Sequence, residues 1–352
     1  MTRPRITLVV NPASNKGSAA GVGLRVAEHL SSAAEVRVLS GASQAESVAL
    51  LSQASAGADA VVVCGGDGIA HLAANALAEG TVPLGIIPAG SGNDAAATLG
   101  LPADPVLAAD ALLAALIAGS VTRIDLGYCE AAPVSATASG RWWLTMLYGG
   151  FDSGVNERAN AMRWPAGKRR YDLAIAAELV RLRTRRVQLT LDGVEFEFPA
   201  TLVAIGNGPQ YGGGKLMTPG AKLDDGIFDI TVVGPVSRLT LARLAPKLPT
   251  AGHIGHPAVS QYRARTVSFA AAGVVCYADG ERVAALPITT VCVPAALPVL
   301  VPIGPIPAGL SSAPLASGRL VPLPQPQAAP ADQPAGQHSA GHPDGQAGAG
   351  DQ

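Results

Sequence analysis

Four turns rich in glycine and aspartate carry the groups best suited to phosphate chemistry. They are Asn11-Pro12-Ala13-Ser14-Asn15-Lys16-Gly17, Gly65-Gly66-Asp67-Gly68, Gly90-Ser91-Gly92-Asn93-Asp94 and Arg123-Ile124-Asp125-Leu126-Gly127. Glycine lets the main chain approach a ligand closely, and free N–H groups at the start of a following helix favour anionic oxygens. Ser14 and Ser91 add hydroxyl donors. One such turn is equally well explained as a tight strand-to-helix connection; four at one margin predict a polyphosphate site. The commoner solutions are excluded by spacing. Gly212-Gly213-Gly214-Lys215 lacks the Ser or Thr of a P-loop, and no G-x-G-x-x-G follows the first apolar run. Both a Walker-type NTPase and a dinucleotide oxidoreductase are disfavoured.

Further residues stand in patterns that admit two readings. Asp224-Asp225-Gly226 and Asp279-Gly280-Glu281 are hairpin-turn signals that also place carboxylates at a strand end. His253-Ile254-Gly255-His256-Pro257 reads as a structural turn. Between Arg158 and Arg186 nine Lys or Arg face only Asp172 and Glu178, with Trp164 among them. A basic helix with an interfacial aromatic suits an anionic membrane surface; a solvated helix face is the alternative.

The elements that must position these turns are legible in the first 126 residues. Ile6–Val10, Val36–Leu39, Ala60–Cys64 and Leu84–Ile87 predict buried strands. Ala19–Leu30, Gln44–Gln53, Ile69–Ala78, Asn93–Leu99 and Pro105–Ala118 predict helices. Alternation at this spacing implies a Rossmann-like parallel α/β domain, whose ligands sit at the carboxyl ends of the strands. From 127 to 302 the pattern becomes mostly antiparallel. Val187–Leu191 and Val194–Phe198 flank Asp192-Gly193, and Val274–Ala278 precedes Asp279-Gly280. Trp142–Leu147, Thr201–Ile205, Ile227–Val233, Val267–Phe269 and Ile288–Val293 add strands, and a β-sandwich is the natural closure. Residues 303–352, with 9 Pro, 10 Ala and 8 Gly, predict a disordered tail.

Composition narrows the class. Lys plus Arg number 25 against 26 Asp plus Glu, a net charge of −1, which argues against a nucleic-acid partner. Cys64, Cys129, Cys276 and Cys292 are far apart, with no pair at metal-ligand spacing, as in a reducing cytoplasm. The apolar run after Met1 ends at Asn11-Pro12, so no signal peptide is expected. The uncharged stretch from Leu286 to Gly318 holds seven prolines and is no spanning helix.

Taken in order, Asn11-Pro12-x-Ser14, Gly65-Gly66-Asp67-Gly68, Gly90-Ser91-Gly92-Asn93-Asp94, Gly149-Gly150-Phe151-Asp152, Asp224-Asp225-Gly226-x-Phe228-Asp229 and Asp279-Gly280-Glu281 resemble the diacylglycerol kinase catalytic-domain family. That family includes soluble bacterial lipid kinases and the sphingosine and ceramide kinases, and the likeness runs from about residue 5 to 302. It implies a two-domain kinase that uses ATP and Mg²⁺ in the cleft between an α/β domain and a β-sandwich. Asn11, Ser14, Ser40, Gly65, Gly66, Asp67, Gly68, Ser91 and Asn93 are then expected around the nucleotide. Asp67, Asp94 and Asp125 are expected to form an acidic network around the catalytic magnesium. A second metal would take the Asp225 carboxylate and the carbonyls of Lys222 and Ile227, hard oxygen donors suited to Mg²⁺. Glu281 would remove the proton of the lipid hydroxyl, with Asp279 in reserve, since an alcohol needs a base and phosphoryl transfer otherwise rests on positioning and charge.

The chain departs from the family pattern at Ile69 and Leu72, at Ser91 in place of Thr, and at Ala95-Ala96-Ala97. The implied activity is phosphorylation of a lipid hydroxyl, diacylglycerol first, with a sphingoid base or another lipid alcohol as alternatives. NAD kinase and a non-catalytic lipid- or nucleotide-binding regulator are the rival readings. The expected setting is cytoplasmic with peripheral contact at the inner membrane face, and a homodimer is compatible with it.

Overall fold

The first strands form where β-branched runs can be covered on both sides. In a computed structural model, which describes residues 3–11, 18–41, 43–130, 141–165, 167–305 and 307–310, the chain begins β1 (Arg5–Val10), α1 (Ser18–Ser31), β2 (Glu35–Ser40), α2 (Gln44–Ala54), β3 (Ala60–Gly65), α3 (Asp67–Leu77), β4 (Leu84–Pro88), α4 (Asp94–Thr98), α5 (Pro105–Ala118) and β5 (Val121–Cys129). Every residue of β3, AVVVCG, is buried, as a central parallel strand with helices on both faces requires. Helix α5 shows how sharply local signals set the boundaries. The Asp104 carboxylate accepts the Val106 and Leu107 amides, Pro105 opens the first turn, and Gly119 at φ 69° ends the helix.

The second half continues with β6 (Trp142–Trp143), β7 (Met146–Gly150), α6 (Phe151–Ala161), α7 (Lys168–Val180), β8 (Arg185–Leu191), β9 (Val194–Ala200), β10 (Leu202–Gly206), β11 (Phe228–Val233), α8 (Arg238–Leu244), β12 (Val259–Ala264), β13 (Thr266–Ala271), β14 (Val275–Ala278), β15 (Glu281–Ala285) and β16 (Ile288–Leu300). Six strands form an antiparallel sheet in the order β12-β11-β10-β7-β14-β15. Its partner runs β2-β1-β3-β4-β16-β13-β8-β9, with β5 and β6 joined at β16, and is parallel from β2 to β16. Trp143 stacking on Phe228 at 4.9 Å marks the sandwich core between the two sheets.

Four expectations change. The division at 126 and 127 is no break in the sheet, because β16 pairs with β13 through residues 288–291, with β5 between residues 290 and 300, and with β4 at Val299. It also runs seven residues past the expected end at Val293. Pro294, the first proline inside it, falls at a register shift between Val293 and Leu297, where a missing amide is tolerated. The expected strand Trp142–Leu147 is two strands, broken where the Leu144, Thr145 and Met146 amides turn onto one carboxylate. Part of the tail expected from residue 303 is packed. Leu310 is buried, and the Gly309 carbonyl accepts the Leu223 amide. Residues 311–352 lie outside the described set. No helix among the described residues is long and apolar enough to cross a membrane.

Candidate active site

The carboxyl ends of β1, β2, β3 and β4 share one margin. Ser40 ends β2 beside Val10, and the Asn11 amide donates to the Cys64 carbonyl. Ser14 lies outside the described residues. The second and third turns touch main chain to main chain. A Cβ on Gly90 would lie 2.3 Å from the Gly66 Cα, so only glycine permits the approach. Asn93, at φ 58°, shapes this turn rather than facing a ligand: its side chain accepts the Gly90 amide at 2.8 Å and donates to the Gly90 carbonyl at 3.0 Å. Ser91 stays exposed beside it.

Asp67 and Asp94 meet here. A Cβ on the intervening Gly92 would lie 2.4 Å from one Asp67 oxygen and 3.3 Å from one of Asp94. Burial, then the Asp94 charge, push the Asp67 carboxyl up to about 6, against the Ala95 amide it accepts. Among the described residues no basic side chain pairs with either acid. Two adjacent carboxylates without a counter-cation fit one hard divalent ion, with phosphate oxygens completing its shell. Asp94 has a second task that the sequence concealed. Its two oxygens accept the Gly213 and Gly214 amides at 2.8 Å each, so the triple-glycine loop of the sandwich half wraps this acid. The Tyr211 hydroxyl donates to Asp152 and pins that loop to α6.

Asp125 joins the sandwich half to the first sheet. Its carboxylate accepts the Gly226 amide at 2.5 Å and the Ala295 amide, at the β16 register shift, at 2.8 Å. Burial pushes it up to about 6, and the acids that act on it are Asp225 and Asp224, whereas Asp67 feels Asp94 and Asp279. Asp125 therefore ties the 222–227 loop to the first sheet.

The second metal expected at Lys222, Asp225 and Ile227 does not fit the residues present. One Asp225 oxygen is paired with the Arg263 guanidinium, which also reaches Asp229 at 3.3 Å, and the other oxygen accepts the Ile227 amide. A cation of the chain already neutralises the carboxylate, and a divalent ion there would face Arg263 at close range. The Lys222 ammonium donates to the Ala308 carbonyl. Among the described residues no three His, Cys, Asp or Glu side chains are grouped to hold a metal.

The third contributor comes from the β14–β15 hairpin. Glu281 opens β15 and points at the first turn of α3, where a Cβ on Gly68 would lie 3.5 Å from its Oε1. Asp279 does not share that role. Its side chain, 3 % exposed, accepts the Leu144 and Thr145 amides at 2.7 and 2.8 Å, the Met146 amide at 3.2 Å and the Thr145 hydroxyl at 2.7 Å. Its other contact is His71 Nδ1 at 2.9 Å. Burial alone would raise this carboxyl; the His71 hydrogen bond and charge and the backbone amides outweigh it and hold it below its usual range. With every lone pair engaged, Asp279 is a positioning residue.

His71, two residues after Ile69, faces Asp279 from α3. It and Asn75, which donates to the Trp142 carbonyl and accepts the Trp142 amide, join α3 to the sandwich half beneath Glu281. Ile69 and Leu72 are buried in the core of the first sheet, and so are Ala95 and Ala96. These departures are packing residues. His253, also buried, sits near the Met217 carbonyl at 3.4 Å, far along the chain from the margin.

The diacylglycerol kinase catalytic domain family matches residues 5–129, and the YegS C-terminal NAD kinase beta sandwich-like domain matches residues 145–301. A diacylglycerol kinase of Mycobacterium tuberculosis (strain ATCC 25618 / H37Rv) is 41% identical over 303 residues, covering 85% of this chain and 95% of the relative. A diacylglycerol kinase of Staphylococcus saprophyticus is 27% identical over 233 residues, 65% of this chain and 72% of the relative. Among solved structures, a diacylglycerol kinase from Bacillus anthracis str. Sterne superposes with TM-score 0.64 at 21% identity, over 86% of this chain and 98% of that one. An NAD kinase from Archaeoglobus fulgidus in complex with ATP gives 0.50 at 17% identity, over 85% and 94%. These two show the fold.

Proposed function

Because this chain belongs to the diacylglycerol kinase family, we propose that it transfers the γ-phosphate of ATP to a lipid hydroxyl, with diacylglycerol as acceptor and phosphatidic acid as product. The observation that carries the reading is Glu281 reaching from one sheet to the glycine turn of the other, beside two uncompensated acids. In that arrangement the amides of Gly65, Gly66 and Gly68 and the Ser91 hydroxyl face the phosphates, and Asn11 and Ser40 flank the nucleotide. Asp67 and Asp94 would hold magnesium, which supplies charge neutralisation at the transferring group. Glu281 takes the proton from the acceptor hydroxyl as the oxygen attacks phosphorus. Asp279 and His71 hold the hairpin so that this carboxylate stays above α3. Asp94 holds the triple-glycine loop against the acidic pair.

The test is a panel of acceptors with γ-labelled ATP and the purified protein. Labelled phosphatidic acid is the expected product, strongest with diacylglycerol. Label on sphingosine or ceramide instead would replace the acceptor, label on NAD would transfer the reading to NAD kinase, and no labelled product with any of them would overturn it.

A further inference from the structure

The nine basic residues between Arg158 and Arg186 do not form one face. Arg158 is paired with Glu178 at 2.5 Å, Arg186 with Glu197, and Arg170 donates to the Pro165 carbonyl. Arg181, Arg183 and Arg185 instead line an open cleft of about 630 Å³, bounded by α6, the end of α7, the start of β8 and residues 273–275. The two acids in its wall are spent. Arg158 holds Glu178, while Glu157 accepts from Arg282 at 3.1 Å and from the Tyr277 hydroxyl at 2.6 Å. None of the three remaining guanidinium groups has an acidic partner among the described residues.

Apart from Ser153 the rest of the wall is apolar or glycine, with Phe151, Met162, Leu182, Val274 and Val275 its large side chains. Next to the cleft, Ala174 alone is fully buried among the described residues of α7, and the helix leaves Tyr171, Leu173, Ile175 and Val180 exposed. Trp164, just before α7, is 81 % exposed. Guanidinium forks match phosphate oxygens, and tryptophan favours the interface between water and acyl chains. The cleft is also separate from the site above. It opens at Gly150 and Val275, whereas Glu281 and Asp279 lie at the Leu147–Ala278 end of the β7–β14 pair, about 10 Å along the strands.

We infer that this cleft receives the phosphate of an anionic phospholipid in a bilayer, a second lipid distinct from the acceptor, with Trp164 and the apolar residues of α7 lying against the membrane. The inference deepens the lipid-kinase reading by naming the surface at which the protein meets its membrane. Its test reads binding without turnover, so the two can fail separately.

The full chain is co-sedimented with vesicles of phosphatidylcholine alone and of phosphatidylcholine mixed with an equal part of phosphatidylglycerol. Binding to the mixed vesicles and little to the neutral ones is expected. The triple substitution Arg181→Gln, Arg183→Gln, Arg185→Gln should weaken binding roughly a hundredfold at low salt, about fivefold for each cation brought to the surface. Should the triple variant fold poorly, the pair Arg181→Gln, Arg183→Gln, both on exposed residues, is expected to lose a corresponding share at an unchanged melting temperature. Trp164→Ala should weaken binding further. The same variants should phosphorylate a soluble short-chain acceptor at the wild-type rate. Equal binding of wild type and a folded variant, equal binding to both vesicles, or full competition by millimolar inorganic phosphate would overturn the inference; the last would mark a soluble-phosphate site instead.

Discussion

Two hairpins in this protein turn on the same dipeptide. At Asp192-Gly193 the φ angles are 48° and 87°, and at Asp279-Gly280 they are 51° and 88°. In each, the aspartate carboxylate accepts amides of a neighbouring segment, Arg265 and Thr266 in the first and Leu144 to Met146 in the second. In each, the aspartate amide returns a bond to that segment, at Thr266 and Met146. The difference is what lies above. Asp192 and the following Val194 are exposed, while α3 covers Asp279, adds His71 to its shell and brings Gly68 under Glu281. The module is generic, and the chemistry arises where it abuts a helix N-terminus and an acidic pair.

The largest break in this comparison should come from Glu281→Gln. Loss of a general base is worth about 10²- to 10⁴-fold in rate, and a half-buried side chain with an isosteric replacement should shift stability by under about 0.5 kcal/mol. Val194→Gln, the matching position one residue past the other turn, should change neither. Lipid phosphorylation and thermal melting on the two variants check both halves. Asp279→Ala comes next. It strands three buried amides, a hydroxyl and His71, a loss of about 3–5 kcal/mol, against about 1 kcal/mol for the exposed Asp192→Ala. Urea unfolding of the pair measures the contrast, and equal losses would show that α3 adds nothing to the second turn.

Both hairpins were legible in the sequence because their signal is local, and so were the four parallel strands, whose periodicity needs no partner to be read. What escaped depends on approach across the fold. Gly212-Gly213-Gly214 looked like a failed P-loop; its use became visible only with Asp94 beneath it. Asp125 was grouped with Asp67 by motif, but the β16 register shift, hidden in a proline-rich stretch, draws it to Gly226 and Ala295. Arg263 carries no motif at all, although it neutralises Asp225. The basic run from Arg158 read as one helix face, because nothing along the chain records that Glu178 and Glu197 would claim two of its members.

Acidity separates the carboxylates around α3 as well. Asp67, raised to about 6 by burial and then by Asp94, keeps its proton in the folded state while the unfolded chain has released it. Its contribution is complete below the unfolded value of 3.8 and is lost as pH rises through 6, a cost on the order of 3 kcal/mol. Asp279 has the opposite sign: its contribution is present above the ordinary value and is lost only as pH falls below it. Between about pH 4 and about pH 6.5 the metal-free protein should therefore lose melting temperature, and Asp67→Asn should remove part of that slope. Mg²⁺ with nucleotide should flatten it in the wild type alone. Asp125 and Asp229, also raised to about 6, account for the slope that remains in the variant.

The smallest effect gives the sharpest comparison. Gly193 and Gly280 have nearly the same φ, and a Cβ added to either would meet nothing within 4 Å, so alanine at each position meets strain from the backbone alone, about 1 kcal/mol. The stability losses of Gly193→Ala and Gly280→Ala should match. Their activities should not, since a few degrees of relaxation at Gly280 swing the next residue, Glu281, relative to Gly68, and a small misplacement of a base costs rate out of proportion to its energy. An equal, unimpaired turnover in both variants, at matched loss of stability, would mean that Glu281 does not depend on this turn for its aim.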